Sequence, residues 1–463
     1  MIDVKLIQQA ILLAKQRKFD EAKELYSKLL KENPEDYMLL SAIGLFYVSL
    51  NDYKNAKIYL EKACKIKETF GTISALGFAE YEQGNYEQAI KILLHSLDFG
   101  KNADVYNKLV LSCFKLGDYE NAIKYSGIMY ENYPENENSV TNMVKSLTQS
   151  GQLMEAEKLC VEFLKEHNDA ASLWIHLGFL KELIYSDDKQ SIECFKIAQS
   201  LGYNEALYNI AVSYTKLNDF INAELYYKKM LEAFPNDIET ITSLGMCYLK
   251  QKKFKKGYDL FYNRPNTFVK NTNNLWNQND KLDKNEIVVI CDQGYGDHIQ
   301  FIRYLPELQK MVEKIYVASR PSLTPLFKKN YPDIEFITID EINPEIQAIR
   351  ITDLAYVLNI DFDNIPFSNG YLKSEKAEIN SDKLKVGLCW EAGSAGIRTM
   401  INRTINIRLL EPILNIERAQ IYSFQVTDSL NGNERYPQMI NLAKDFKNFE
   451  EKGDLFKELV LKK

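Results

Sequence analysis

Several kinds of chemistry are disfavoured by what this chain of 463 residues has little of. It carries only four histidines, so a histidine-based metal site is not expected, and no cofactor is predicted. Its seven cysteines form no Cys-x-x-Cys pair, and most fall in helical segments, where a reduced thiol acts as a small apolar side chain. A reducing, cytoplasmic location is therefore predicted.

The chain also lacks a positive surplus and a long apolar run. Its formal net charge is −7, which argues against nucleic acid as the main partner, because phosphate binding needs a basic surface. No uninterrupted apolar stretch resembles a signal peptide or a membrane span. Charged residues at 26% and hydrophobic ones at 46% are ordinary for a soluble folded chain.

A recurring spacing dominates the first 260 residues or so. Small residues recur at intervals of 33 or 34, with one double step, at Ala22, Ala56, Ala89, Ala122, Ala156, Ala223 and Gly257. A second small or β-branched residue stands 12 positions before each of these, and Gly178 fills the double step; the set is Ala10, Gly44, Gly77, Val110, Val144, Ala211 and Gly245. The repetition predicts about eight similar structural units.

The residue three positions before each second anchor is a ring or Leu: Phe19, Tyr53, Tyr86, Tyr119, Leu153, Phe220 and Phe254. A period near 34 with this pattern is typical of tetratricopeptide (TPR) helix hairpins. The small residues allow the two helices to cross closely, and the ring is expected to fill the wedge between neighbouring hairpins. The sixth repeat, after Tyr185, is degenerate and looks locally like a Sel1-type variant.

Stacked hairpins of this kind form a long concave groove, which favours a protein or peptide partner. The ligand-facing positions would be first-helix residues beside the small anchor, namely Asn142, His176 and Asn209. The alternative is that these polar residues are simply solvated. No continuous ladder of asparagines is visible at the equivalent positions Gln8, Ala42, Ala75 and Lys108.

The pattern changes after residue 262. Residues 263–285 are rich in Asn and read as a linker or crossing segment, within which Trp276 is expected to pack onto the next domain. Beyond it, strands are predicted at Glu286–Ile290, 314–319 and 334–339, with helical stretches between them. Strands that alternate with helices imply a parallel, doubly wound sheet.

Two turns after predicted strands contain candidate binding residues. In the first, Gly294 and Gly296 permit tight turns close to a ligand, and Asp297 and His298 stand at a helix start, although Asp297 could serve only as a helix cap. In the second, Gly393, Ser394 and Gly396 can offer backbone and hydroxyl donors, and Arg398 and Arg403 supply guanidinium groups suited to a diphosphate. An exposed, solvated basic loop is the alternative.

The order of these segments resembles bacterial TPR proteins with a C-terminal glycosyltransferase-like module. The resemblance rests on the TPR array, the Trp-containing linker, and the motifs QGYGDHIQFIRYLP, VGLCWEAGSAGIR with NRTI, and YPQMINLAKDF. That module has the GT-B fold, is similar to heptosyltransferases and, more distantly, to TPR-containing O-GlcNAc transferases. The resemblance implies an α/β, Rossmann-like pair of domains.

The resemblance also implies roles for particular residues. The first Rossmann-like domain would bind the acceptor, with Asp297 as general base in a cleft lined by Gln293, Gly294, Gly296 and His298. The second would bind a nucleotide-sugar, whose phosphates would face Gly393, Ser394, Asn402 and Arg403. Members of the family continue past the segment equivalent to Asp445–Phe449, whereas this chain ends at Lys463 with only two strands predicted in the second half.

These observations predict four segments: a TPR solenoid over 1–262, a linker over 263–285, an acceptor-side domain over 286–375 and an incomplete donor-side domain over 376–463. The predicted function is a protein-binding scaffold fused to a glycosyltransferase-related domain whose activity is lost or impaired. The alternative is an active enzyme that moves a sugar from a nucleotide-sugar to a protein or surface glycan.

Overall fold

The computed structural model of the chain describes residues 4–264, 272–278, 280–368, 370–373, 381–391, 405–426 and 432–443. The chain divides into two compact units, Met1–Tyr203 and Asn204–Lys463. The four-segment division drawn from the sequence stays a prediction.

Within the described residues, the first unit consists of twelve α-helices joined by short turns. They form six consecutive hairpins: α1 Val4–Lys15 and α2 Phe19–Glu32, α3 Tyr37–Ser49 and α4 Tyr53–Ile66, α5 Phe70–Glu82 and α6 Tyr86–Ser96, α7 Ala103–Leu116 and α8 Tyr119–Asn132, α9 Glu137–Gln149 and α10 Leu153–Glu166, α11 Ala171–Tyr185 and α12 Asp188–Ser200.

Small residues lie where the two helices of each hairpin cross, as predicted. Ala10, Ala22 and Ala89 have no exposed surface. A Cβ atom added to Gly44 would lie 2.6 Å from Leu60 Cγ, and one added to Gly77 would lie 2.5 Å from Leu93 Cδ2. The crossings are therefore too close for a larger side chain, which is the physical basis of the repeat.

The rings that precede the second anchors do not all fill a wedge. Each begins an even-numbered helix, and Phe19 and Tyr119 remain 36% and 45% exposed. The Phe19 ring nevertheless lies 6.4 Å from the ring of Phe46 on α3, in the neighbouring hairpin, in agreement with the wedge prediction. The Tyr119 ring instead lies 6.3 Å from Phe114 of its own hairpin.

The two sets of helices in the first unit pack differently. The odd-numbered helices contact one another in series, α1 with α3, α3 with α5, and so on to α11. The even-numbered helices make no comparable contacts with each other among the described residues of this unit. Because the odd-numbered helices are closer together, they line the shorter, inner side of the stack; we call this surface the odd-helix face.

The second unit begins with four more helices, which form two hairpins with the same small-residue crossings: α13 Ala206–Lys216, α14 Phe220–Ala233, α15 Ile238–Lys250 and α16 Phe254–Phe261. At the last crossing, a Cβ atom on Gly245 would lie 2.8 Å from the Phe261 nitrogen and 2.9 Å from the Gly257 carbonyl oxygen. Both neighbours are backbone atoms, so only glycine fits at this position.

A four-stranded parallel sheet follows, in the order β3-β2-β1-β4. The strands are β1 Glu286–Ile290, β2 Lys314–Ala318, β3 Glu335–Ile337 and β4 Ala348–Arg350. Short helices lie between and after them, at α17 Tyr295–Phe301, α18 Leu305–Leu308, α19 Thr324–Asn330 and α20 Leu354–Val357. The first three strands were predicted; β4, three residues long, was not.

The core of this sheet includes residues from both the helical hairpins and the linker. Tyr258 of α16 and Trp276 are buried in one cluster with β1 and β2 side chains. The Trp276 backbone nitrogen donates to the Ala348 carbonyl oxygen at 2.7 Å, which ties this segment to β4. The prediction that Trp276 packs onto the α/β region is confirmed.

A second parallel sheet has the order β5-β6-β7, with β5 Leu384–Leu388, β6 Ala419–Ser423 and β7 Ile440–Asn441. Short helices accompany it at α21 Glu411–Leu414 and α22 Gly432–Arg435. Two strands were predicted here, and β7 was missed because two residues carry no readable pattern. Small parallel sheets alone do not define a GT-B fold, which stays a prediction, as does the incompleteness of its second half.

Candidate functional sites

The odd-helix face carries apolar side chains that no described residue covers. On α3, Met38 and Leu45 are 48% and 47% exposed and lie two helical turns apart on the same side. A cavity of about 250 Å³ opens between α1, α2 and α3, and its lining includes Ile11, Tyr26, Leu45 and Phe46. Helix–helix packing does not require these exposed side chains, so this face is a candidate binding surface.

Asn142, one of the predicted groove residues, lies on α9 and is almost fully buried. Its Nδ2 donates to Asn107 Oδ1 on α7 at 2.8 Å. Two neighbouring odd-numbered helices are therefore joined by an asparagine pair 35 residues apart. The residue one repeat interval of 34 before Asn142 is Lys108, so the repeat spacing points one position away from the actual partner, Asn107.

His176 and Asn209, the other two predicted groove residues, are both half-buried. His176 lies on α11, where its ring meets that of Phe179 edge-on at 6.5 Å. Burial lowers the pKa of His176 to about 3, and the charge of Lys145 adds to the effect. Asn209 lies on α13, in the second unit. A groove role for all three predicted residues stays a prediction.

Lys145, on α9, was not singled out from the sequence. A lysine on a helix is normally a solvated surface residue, so no pattern in the sequence distinguishes this one. In the structure its side chain is half-buried, and burial lowers its pKa.

In the second unit, Asp297 lies in the first turn of α17, beyond the carboxyl end of β1. Its Oδ2 accepts a hydrogen bond from the Gly294 backbone N–H at 3.1 Å. The capping contact that the sequence offered as an alternative is therefore present. A role for Asp297 as general base stays a prediction.

The turn before α17 does not depend on its glycines as expected. Neither Gly294 nor Gly296 has a left-handed backbone; that conformation belongs to Gln293, with a φ of 71°. The Gln293 carbonyl oxygen accepts a hydrogen bond from Arg320, which follows β2, at 2.9 Å. The Arg320 guanidinium also lies 4.6 Å from the centre of the Tyr295 ring, so this arginine fixes the turn from two sides.

His298, also on α17, is fully buried. Neither of its ring nitrogens has a hydrogen-bond partner among the described residues. Burial lowers the pKa of His298, and the nearby charge of Arg320 lowers it further. The imidazole is therefore held neutral and does not face solvent.

The carboxyl ends of β1 and β4 are joined by a buried ion cluster. Arg264 donates to Asp292 Oδ2 at 3.0 Å and to Asp353 Oδ1 at 2.7 Å, and it also donates to the Thr352 hydroxyl. Arg350 Nε donates to Asp353 Oδ2 at 2.6 Å. In doubly wound sheets, ligands bind where neighbouring connections run to opposite sides, and here that point lies between β1 and β4. Arg264 occupies it.

The four residues predicted to face donor phosphates, Gly393, Ser394, Asn402 and Arg403, lie outside the described residues. The described chain stops just before them, at Glu391. There the buried Gln425 side chain accepts hydrogen bonds from the Trp390 and Glu391 nitrogens at 2.9 and 2.8 Å. Gln425 thus joins the end of β5 to the end of β6, and no sequence pattern predicts this contact.

The described residues contain neither a metal-binding group nor a membrane-spanning helix. Among them, no group of three or more His, Cys, Asp or Glu side chains is placed to hold a metal ion. None of the helices they form has the length and apolar character needed to cross a bilayer.

Comparison with protein families gives matches to tetratricopeptide repeats. Two models described as tetratricopeptide repeat match, one over residues 7–69 and the other over 103–126 and 205–237. The chain is also similar to the BBSome complex member BBS4 of Bos taurus, with 21% identity over 322 residues. That alignment takes in 65% of this chain and 59% of the bovine protein, so the chain spans less than two thirds of its relative.

Solved structures of TPR proteins resemble part of the chain. One is the C-terminal part of a TPR repeat-containing protein from Cytophaga hutchinsonii, which is 16% identical to this chain. The match covers 51% of this chain and 99% of that chain, and its TM-score is 0.40. Another is a tetratricopeptide repeat protein from Parabacteroides merdae, which is 17% identical to this chain. The match covers 49% of this chain and 91% of that chain, and its TM-score is 0.43. These sequence identities and TM-scores are too low to assign a function. Together with the hairpins described above, the family matches identify a TPR repeat protein.

Proposed function

We propose that this TPR protein is a scaffold that binds a polypeptide partner on the odd-helix face of its first unit. The observation that carries the proposal is the serial contact of α1, α3, α5, α7, α9 and α11. Such contacts make one continuous surface from many helices, and a stacked-hairpin surface of this kind suits an extended ligand. The exposed Met38 and Leu45 side chains provide apolar contact area on it.

A matched pair of variants tests where the partner binds. Leu45 on α3 and Ile58 on α4 are 47% and 43% exposed, so an aspartate at either site places a similar change on opposite sides of one hairpin. The tagged full-length protein is used to capture partners from cell extract. Proteins retained by the parent chain and by Ile58→Asp, but lost by Leu45→Asp, are expected. Loss from both variants, or from neither, contradicts the proposal.

We further propose that the α/β region is a glycosyltransferase-related module with impaired transfer activity. The sequence motifs around Asp297 and Arg403 support the relationship. Two contacts support the impairment: Asp297 is engaged in capping α17, and Arg264 occupies the point between β1 and β4 where a ligand would otherwise bind. A nucleotide-sugar is the donor that the module would take if it were active.

Calorimetric titration of the full-length protein with UDP-N-acetylglucosamine and with ADP-heptose tests this second part. These probes follow from the resemblance to O-GlcNAc transferases and heptosyltransferases. No measurable heat of binding is expected. Micromolar binding that is abolished by Arg403→Ala would overturn the impairment and favour an active glycosyltransferase that modifies a protein or a surface glycan.

A further inference from the structure

The seam between α9 and α11 on the odd-helix face brings polar side chains together. Thr141 Oγ1 and Ser172 Oγ lie 3.1 Å apart, and Ser172 Oγ donates to Glu137 Oε1 at 2.6 Å. One helical turn further along each helix come Lys145 and His176, which have the same offset of 31 residues as Thr141 and Ser172. Because residues four apart share a helix face, Lys145 and His176 lie beside each other at this seam.

Lys145 differs from comparable lysines of the first unit in having no carboxylate partner among the described residues. Three other half-buried lysines of this unit are neutralised: Lys57 Nζ is 2.8 Å from Glu80 Oε1, Lys108 Nζ is 2.6 Å from Glu82 Oε1, and Lys181 Nζ is 2.6 Å from Glu157 Oε1. An ammonium that is partly removed from water and not neutralised costs free energy, unless a ligand supplies the missing negative charge.

We propose that Lys145 and His176 bind the carboxylate of an acidic side chain in an extended polypeptide that lies along the odd-helix face. Lys145 Nζ supplies a charge-assisted hydrogen bond, and the neutral imidazole of His176 supplies an N–H donor. The face continues from the seam across α9 to α7, so an extended chain bound at the site can run on along it. This inference rests on the proposed scaffold function and names the chemistry of the partner.

The small number of histidines makes a direct test possible. The full-length protein is labelled with ¹³C-histidine, and the ring signals of its four histidines are followed by NMR as a function of pH. The probe is hexaglutamate with an acetylated N-terminus and an amidated C-terminus, compared with hexaglutamine blocked in the same way. At pH 7, where the glutamate side chains are ionised, hexaglutamate is expected to change the chemical shift of the His176 ring, because a carboxylate accepts a hydrogen bond from the imidazole N–H. Hexaglutamine should leave it unchanged.

Two other histidines serve as internal controls. His95 Nε2 already lies 3.1 Å from Glu68 and His167 Nε2 lies 3.3 Å from Glu135, so neither offers a vacant carboxylate site. A shift of equal size at His95 and His167 would mean general attraction to the surface and would overturn the proposal. A shift produced only by an unblocked peptide would assign the site to a terminal carboxylate instead, which also overturns it.

A pair of lysine variants completes the test. Lys145→Met keeps the length of the side chain and should weaken hexaglutamate binding about tenfold or more, the loss expected for one charge-assisted contact. Lys158→Met removes a 74% exposed lysine of α10, which is not on the odd-helix face, and should change binding little. If Lys145→Met leaves both the His176 shift and the binding intact, the proposal is wrong. A partner that is lost by Leu45→Asp but kept by Lys145→Met would leave the scaffold function standing without this site.

Discussion

The first unit and the first sheet of the second unit are held together in different ways. In the first unit the same contact, a small residue at a helix crossing, recurs in hairpin after hairpin, for example at Gly44 and Gly77. The sheet has an apolar core and, in addition, one buried ion cluster in which Arg264 joins the ends of β1 and β4. Repetition places equivalent contacts all along the chain, whereas in the ion cluster two buried carboxylates depend on a single guanidinium group.

The difference also affects how each region could acquire a binding role. Along the odd-helix face, exposed side chains such as Leu45 can change without disturbing the crossings beneath them. At the edge of the sheet, Arg264, Asp292 and Asp353 are all buried and mutually paired, so few changes are tolerated there. A binding surface is therefore more readily varied on the repeats than on the sheet.

The largest expected effect comes from removing the guanidinium of the cluster. Arg264→Met leaves Asp292 and Asp353 buried without their shared cation, which should cost about 3–5 kcal/mol in the free energy of unfolding of the sheet. Hydrogen exchange measured by mass spectrometry on the full-length protein should show protection lost in β1 and β4. Protection in α5 and α7 of the first unit should not change.

The control for this variant is an ion pair of similar length at the surface. Lys310 Nζ lies 2.6 Å from Glu307, but its side chain is 67% exposed, so Lys310→Met should cost less than about 1 kcal/mol. If Arg264→Met were no more damaging than Lys310→Met, the buried carboxylates would not depend on the Arg264 guanidinium.

A smaller effect is expected at one crossing of the repeats. In Gly77→Ala the new Cβ would lie 2.5 Å from Leu93, which is fully buried and cannot move away, so overpacking should cost about 1–3 kcal/mol. The matched control is Gly127→Ala on α8, where an added Cβ meets nothing within 4 Å. There the better helix propensity of alanine should stabilise by about 1 kcal/mol. Urea unfolding monitored by circular dichroism compares the two, and effects of the same sign would contradict this account of the crossings.

The crossings were predictable from the sequence because they repeat. Ala22 and Ala89 could be recognised because they recur at a fixed interval. Strand β1 could be recognised because Ile287–Ile290 is a continuous apolar run. Strand β4 was missed because three residues, Ala348–Arg350, carry no period. Arg264 was missed for another reason: its partner Asp353 lies 89 residues away, and a single long-range ion pair leaves no local pattern.

The candidate sites divide in the same way. Asn142 was singled out as a groove-facing residue, a role that stays a prediction, but its contact with Asn107 was not foreseen, because the pair spans 35 residues rather than the repeat interval of 34. Tight turns before α17 were expected at Gly294 and Gly296, whereas the residue with a left-handed backbone there is Gln293. Backbone conformation there follows from the contact with Arg320, which the sequence does not reveal.

The smallest predicted effect concerns pH and compares two histidines of the first unit. Burial lowers the pKa of His176 from 6.5 to about 3, and Lys145, the charged group that faces it from α9, acts in the same direction. Below pH 6.5 the unfolded chain therefore takes up a proton that the folded chain refuses, so folded stability falls as the pH drops. Between about pH 7 and about pH 5.5 the loss of folded stability should be about 1 kcal/mol, and His176→Gln should remove it.

His95 should behave oppositely, because its hydrogen bond to Glu68 raises its pKa and favours the folded state in acid. Urea unfolding at the two pH values measures both contributions, and an unchanged pH dependence in His176→Gln would mean that this imidazole is not held neutral by its surroundings.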